Sequence, residues 1–212
     1  MKNLSYTYSF VFIMMFFCSC GLYYLKLDSV ESSRTLYKPC DKANIVSFKE
    51  NRVKGYKYSD EFIEIIWHIG NYPRILCFTL KNKSNSNIKI EWDEISYVNF
   101  DGLSCGVIHS EVKQIDFKRF LYFGEGLDVS RKDIDKNKPQ LPTIIPKEAK
   151  ICEMLLPKEK IGKNVDPLLI PVDMYMTGQE YYKDKNIKIY MPIVIGKESN
   201  EYIFTLGIHD VS

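Results

Sequence analysis

The chain has 212 residues, 29 basic and 27 acidic, and this near-neutral balance with both signs interspersed excludes the concentrated basic face of a nucleic-acid binder. It equally excludes a polybasic patch able to hold the protein on a membrane by charge. The length is enough for one large or two small domains with a core of their own.

In chain order, Lys2 precedes an apolar run from Tyr8 to Phe17, broken only by Ser9, and the run ends at Cys18-Ser19-Cys20-Gly21. A positive start, a short apolar segment and small residues after it describe an export signal. The run falls short of the roughly 20 apolar residues that span a bilayer as a helix. Phe17-Cys18-Ser19-Cys20 resembles the lipobox of bacterial lipoproteins, in which the cysteine is lipidated and becomes the first mature residue. Phe17 and Cys18 depart from the commonest residues of that box. Lipidation at Cys18 would put bulky Phe17 just before the cut, so Cys20 is the expected lipidation site. The resemblance implies a signal peptide over 1–19, several acyl chains such as palmitate on Cys20, and a bacterial cell-envelope location with the outer membrane expected. More than one chain is needed, because a single acyl chain binds a membrane only reversibly. An ordinary signal peptide or an uncleaved anchor is the alternative.

Residues 20–56 are mostly polar, with Ser29, Glu31, Ser32, Ser33 and Arg34 among them, and read as a lipidated tether that lifts the body off the membrane. A short strand fits at 44–48. The body, 57–212, reads as short strands separated by turn signals. In 61–69, Ile63, Ile65, Trp67 and Ile69 share one face, and in 73–82 Leu76, Phe78 and Leu80 share another. The stretch 88–109 starts with Ile88, Ile90 and Trp92 in step and changes parity before Ile95, which predicts a bulge or corner at Asp93-Glu94. Asp101-Gly102 then predicts a hairpin, and Leu103, Cys105, Val107 and His109 return. Further strands are predicted over 147–156, 187–195 and 201–209, the last two joined by 196–200. Pro192 within its strand suggests an edge or a bulge.

These elements predict an all-β chain, an antiparallel immunoglobulin-like β-sandwich with long loops. One short helix fits at 161–169 or 174–183. The span 78–157 (Leu80, Asn82, Ile88-Lys-Ile90-Glu-Trp92-Asp93, Asp101-Gly102, Val107-Ile-His109, Ile144-Ile-Pro146, Pro157) resembles a recurrent pattern in uncharacterised bacterial envelope lipoproteins. That resemblance implies the sandwich and no activity.

Residues carrying chemistry are few. Cys40, Cys77, Cys105 and Cys152 are widely spaced and form no CxxC, so neither a redox motif nor a zinc finger is indicated, while export permits disulfides. Cys77 falls on the outward parity of its strand. His68, His109 and His209 lie near strand ends. If those ends met, His109 and His209 with Asp93 or Asp210 would offer metal ligands. No GxSxG elbow flanks Ser104 or Ser110, and Phe123-Gly-Glu-Gly126 lacks a P-loop's lysine. Asp93 and Glu94 with Glu111 or Asp116 would be a chance acid–base pairing. Asn82-Lys83-Ser84 is a formal glycosylation triplet. The loop 116–146 is long and carries Phe117, Phe120, Tyr122 and Phe123, the residue types that dominate binding surfaces. The sequence therefore favours a non-catalytic interaction or structural module without cofactor or bound metal, joined to the membrane through Cys20. Its partner would be an envelope protein or a glycan, not nucleic acid. The alternative is an envelope hydrolase or metal-dependent enzyme whose site forms only in the fold.

Overall fold

The computed structural model describes residues 23–32, 45–50, 53–69, 76–111, 139–160 and 185–210. They form twelve strands: β1 (Tyr23–Ser32), β2 (Ile45–Glu50), β3 (Val53–Ser59), β4 (Ile63–Ile69), β5 (Leu76–Asn82), β6 (Ile88–Ile90), β7 (Ser96–Val98), β8 (Ser104–Glu111), β9 (Thr143–Ile145), β10 (Lys150–Pro157), β11 (Asn186–Ile195) and β12 (Glu198–Asp210). The chain is all-β, and every ladder is antiparallel.

Ten strands follow one path, β1-β12-β11-β7-β8-β10-β5-β4-β3-β2, while β6 pairs with β11 off this path and β9 pairs with β6. β8 joins the halves because its two parts pair with different strands. Residues 104–106 pair with β7, and 107–111 pair with β10. The halves face one another across a single core. Trp67 on β4 packs against Phe78 of its own half at 5.1 Å and Phe204 of the other at 5.2 Å. Tyr202 donates its hydroxyl across the same gap to Asp60 at 2.9 Å, while the other carboxylate oxygen of Asp60 caps the start of β4 through the N–H groups of Phe62 and Ile63. Aromatic pairs of this kind add about 0.5–1.5 kcal/mol beyond the area that they bury.

The period-2 faces fold as expected. Ile63, Ile65, Trp67, Leu76, Phe78 and Leu80 are buried, as are the alternate residues Ile187 to Ile195 of β11. The expected corner exists as a single 3₁₀ turn, Trp92–Glu94, which separates β6 from β7. Pro192 sits on an interior strand rather than at an edge. On the side of β11 away from β12, β7 pairs with 188–190 and β6 with 193–195, so Pro192 falls opposite the corner, where no rung is required of its missing N–H.

Three expectations change. The 20–56 tether contains three strands, β1, β2 and the start of β3, and Leu25, Leu27 and Val30 of β1 are buried in the core. The alternation of β1 is interrupted by a bulge between Leu27 and Ser29, which hides its period-2 pattern from sequence. The folded body thus starts near Tyr23 rather than residue 57. The Asp101-Gly102 hairpin is a five-residue loop, 99–103, and only Gly102 takes a positive φ, 79°. The β11–β12 connection is shorter than expected: Ile195 pairs with Glu198, and Gly196 takes the positive φ of 64° that opens a two-residue turn. The candidate helices at 161–169 and 174–183 lie outside the described residues.

Because β1 belongs to the core, Leu25→Ala in a chain beginning at Gly21 should cost about 2–5 kcal/mol in urea unfolding, as deletion of buried leucines does. A cost within about 0.5 kcal/mol, the level of a surface change, would return this segment to a tether.

Candidate functional site

The most connected polar cluster is built on the Trp92–Glu94 corner. The turn buries the Trp92 ring completely and sends Asp93 outward. The indole N–H donates to Thr143 Oγ1 at 2.8 Å. The face of the indole lies flat on the His109 imidazole, with centroids 3.9 Å apart and planes 10° from parallel.

His109 lies on β8 at the parity of buried Val107, diagonally across the β8–β10 ladder from Glu153. Its Nδ1 is 3.1 Å from Glu153 Oε2, and the carboxylate is only 2% exposed. A buried carboxylate is costly without a partner, and His109 supplies one. The Nδ1 contact with the carboxylate orients the imidazole, as carboxylates do for histidines in catalytic and metal sites. Glu111 stands directly opposite Glu153 in the register.

Gln140 locks the cluster to the foot of the long loop. Its Oε1 accepts the His109 N–H at 2.8 Å, and its Nε2 donates to the Val107 carbonyl at 2.8 Å and to Asp93 Oδ1 at 3.3 Å. Its own N–H donates to Asp93 Oδ2 at 2.9 Å. A side-chain amide thus takes the rung that a neighbouring strand would fill, where β7 has ended and β8 continues. The Gln140 backbone bond, then its side-chain bond, hold the Asp93 carboxyl below the usual carboxylate range, with Lys158 and His109 adding to them.

The sequence candidates are otherwise dispersed. His109 and His209 do not share a site. His209 closes on Asp28 at 2.8 Å and 3.1 Å, where the β1 bulge lays the carboxylate over Gly207. A Cβ at Gly207 would stand 1.9 Å from Asp28 Oδ2, so only glycine admits this approach. His68 is 3.5 Å from the Thr79 hydroxyl, which is itself 3.5 Å from the Cys152 sulfur. Among the described residues, no group of three or more His, Cys, Asp and Glu could hold a metal ion. Cys77, Cys105 and Cys152 are free thiols. Cys77 is fully buried despite its outward parity, and burial pushes its thiol well up. Burial also raises the Cys105 thiol, against the N–H groups of Glu159 and Lys158. Asn82 is no glycosylation acceptor: its buried amide donates to the carbonyls of Ser86 and Ile145. Ser104 and Glu94 are exposed. Phe117, Phe120, Tyr122, Phe123, Asp116 and Cys20 lie outside the described residues.

Sequence reasoning missed Glu153, Gln140, Thr143 and Asp28. Glu153 carried a signal, because it occupies the inward parity of a strand otherwise filled there by Ile151, Leu155 and Pro157. Gln140 and Thr143 carried none, Gln140 lying in irregular chain and Thr143 opening the three-residue strand β9. Comparison with protein families, curated proteins and solved structures finds no match to this chain.

Trp92→Ala should cost about 3–5 kcal/mol in urea unfolding, since it removes a buried ring and strands the Thr143 hydroxyl. A loss below about 1 kcal/mol would place the ring outside the core. The Asp93 ties have a defined pH sign. A carboxyl with a depressed folded pKa contributes stability fully above its ordinary value of about 3.9, and this is lost as pH falls through the folded pKa. The stability difference between the protein and Asp93→Asn should therefore be constant at neutral pH and close only below about pH 4. A difference that changes between pH 5 and 8 would assign the effect to another group.

Proposed function

We propose that the protein is a lipid-anchored, non-catalytic interaction module of the bacterial cell envelope. Lipid on Cys20 attaches it to the membrane, the outer membrane in the fuller form of the reading, and the 116–146 loop presents its contact surface to an envelope protein or glycan. The observation that carries the loop assignment is the Gln140 clamp, which fixes the returning end of the loop on the backbone of β8 and on the corner. The leaving end is fixed as well, because β8 is paired with β10 up to Glu111. Loops presented from a rigid frame are where recognition concentrates. Leu141 at 84% and Ile144 at 60% exposure stand beside the clamp and extend the apolar character of the loop onto the frame.

A second reading rests on one specific observation, the contact of His109 Nδ1 with the buried Glu153 carboxylate. That pair is half of a hydrolytic or metal-dependent site. Among the described residues no hydroxyl or thiol is hydrogen-bonded to His109, and no second histidine joins it, so the interaction module is preferred.

Two measurements test the proposal. Cys20→Ala in a lipoprotein-processing host should abolish fatty-acid labelling, whereas undiminished labelling would remove the anchor. Photocrosslinkers at Phe117, Phe120, Tyr122, Phe123 and Leu141, used in the native envelope, should give a specific adduct with a protein or glycan. No adduct from these positions, together with a hydrolytic activity lost in His109→Ala, would replace the module by the enzyme.

A further inference from the structure

The outer face of the sheet around β5 and β10 collects sulfur. We infer that this patch is a binding site for a soft monovalent metal ion, copper(I), held by the sulfurs of Cys77, Cys152 and Met154. The site depends neither on the proposed anchor nor on the long loop.

Strand parity places the donors. Leu76, Phe78 and Leu80 of β5 and Leu155 of β10 turn into the core, so Cys77 and Thr79 on β5, and Cys152 and Met154 on β10, take the other face. The polar contacts agree, since the Thr79 hydroxyl stands 3.5 Å from the Cys152 sulfur and 3.5 Å from His68 Nε2. In the β5–β10 ladder Cys77 lies directly opposite Met154, and Thr79 directly opposite Cys152. His68 on β4 lies directly opposite Cys77 from the other side. Directly opposed side chains on one face have Cβ atoms about 4.5–5.5 Å apart. Three of the five sulfur-bearing side chains among the described residues therefore share one tile of the sheet, with His68 beside them.

The spacing suits an ion and not a disulfide. Cys77 and Cys152 are diagonal neighbours, about 7–8 Å apart and a little less at Cβ, whereas a disulfide needs Cβ atoms about 3.5–4.5 Å apart. Both thiols are accordingly free. Two thiols too distant to bond each other can bond an ion between them, because a metal–thiolate bond is itself about 2.3 Å long.

The donor set selects the metal. Thiolate and thioether sulfurs are soft ligands that favour copper(I), while a closed zinc site takes four thiolate, imidazole or carboxylate ligands. Among the described residues no three His, Cys, Asp and Glu side chains come together around one point. The third donor is therefore the methionine sulfur, which is not among the ligands of zinc.

The surroundings fit the same ion. Cys77 and Met154 are 0% and 4% exposed, yet neither belongs to the cluster that fills the core between the halves. They form the dry floor of the patch, and half-buried Cys152 and His68 form its rim, where an ion enters. Burial pushes the Cys77 thiol well up, so it keeps its proton until a metal displaces it. Binding releases one proton from each thiol and leaves a copper bis-thiolate with one net negative charge. Lys150 and Lys81 face each other two residues further along the same side, where their charge favours that anion, although Lys81 also meets Glu148 at 3.2 Å.

The test uses the full chain, reduced and kept free of oxygen, with copper(I) supplied as its acetonitrile complex and competed against bathocuproine disulfonate. The expected result is one copper(I) held per chain, with thiolate-to-copper charge transfer in the near ultraviolet. Cys152→Ser should lose that ion while keeping the urea midpoint of the unchanged chain, and Met154→Leu should weaken retention several-fold. Cys77→Ala should lose it as well, but the burial of Cys77 makes Cys152→Ser the deciding variant. Cys105→Ser and the triple variant Cys18→Ser/Cys20→Ser/Cys40→Ser should keep it. Retention unchanged in Cys152→Ser, or lost in either control, would overturn the site. Zinc held in preference to copper(I) would overturn the choice of metal.

Discussion

Burial of Trp92 at a corner is the constraint on which the rest of the arrangement depends. A strand that continued straight through residues 91–95 would pair with β11 along its whole length and give Pro192 a rung that it cannot fill. By turning once at Trp92–Glu94, the chain makes two short strands that both pair with β11 and leaves a gap opposite the proline. The same turn ends β7 early, so that β8 runs past it and pairs with β10 instead. One buried ring thereby fixes where the two halves join. It also leaves the backbone of Val107 and His109 in need of a partner, which Gln140 supplies.

The corner also explains why a carboxylate and an imidazole are tolerated in the wall of the core. Glu153 is buried where leucine or isoleucine would pack at less cost, and its carboxylate is met by Nδ1 of a histidine whose ring lies flat on Trp92 and whose backbone N–H is held by Gln140. Such a pair is weak evidence for stability, because an apolar pair of similar volume commonly does as well. Its presence is better explained by orientation. The stacked ring, the carboxylate and the Gln140 bond leave His109 few arrangements, and the loop foot is fixed with it.

Much of this fold was legible in the sequence wherever side-chain periodicity and burial agreed. Ile63–Ile69, Leu76–Leu80, Ile187–Ile195 and Tyr202–Leu206 alternate cleanly because one face of each meets the core. The parity change after Trp92 also marked the corner correctly. β1 was not legible. Its bulge displaces Asp28 from the alternation, and Asp28, Ser29 and Glu31 read as linker residues when their neighbours on β12 are unknown. The site was less legible than the fold. His109 was visible as a histidine near a strand end, but its partner lies 44 residues away on β10 and its backbone clamp 31 residues away in irregular chain. Contacts of that separation leave no local pattern. Glu153 was the exception, an acidic residue in an apolar register.

Taken together, the strand ladder gives the molecule a direction. The chain enters the sheet at Tyr23, and β8 later carries it along the body to Glu111, where the long loop begins. Beside the returning end of that loop stand Leu141 and Ile144, the exposed apolar residues next to the clamp. What sets the two ends apart is the chain itself. One lies three residues from a cysteine that resembles a lipidation site, and the other carries a loop whose returning foot is locked by a glutamine.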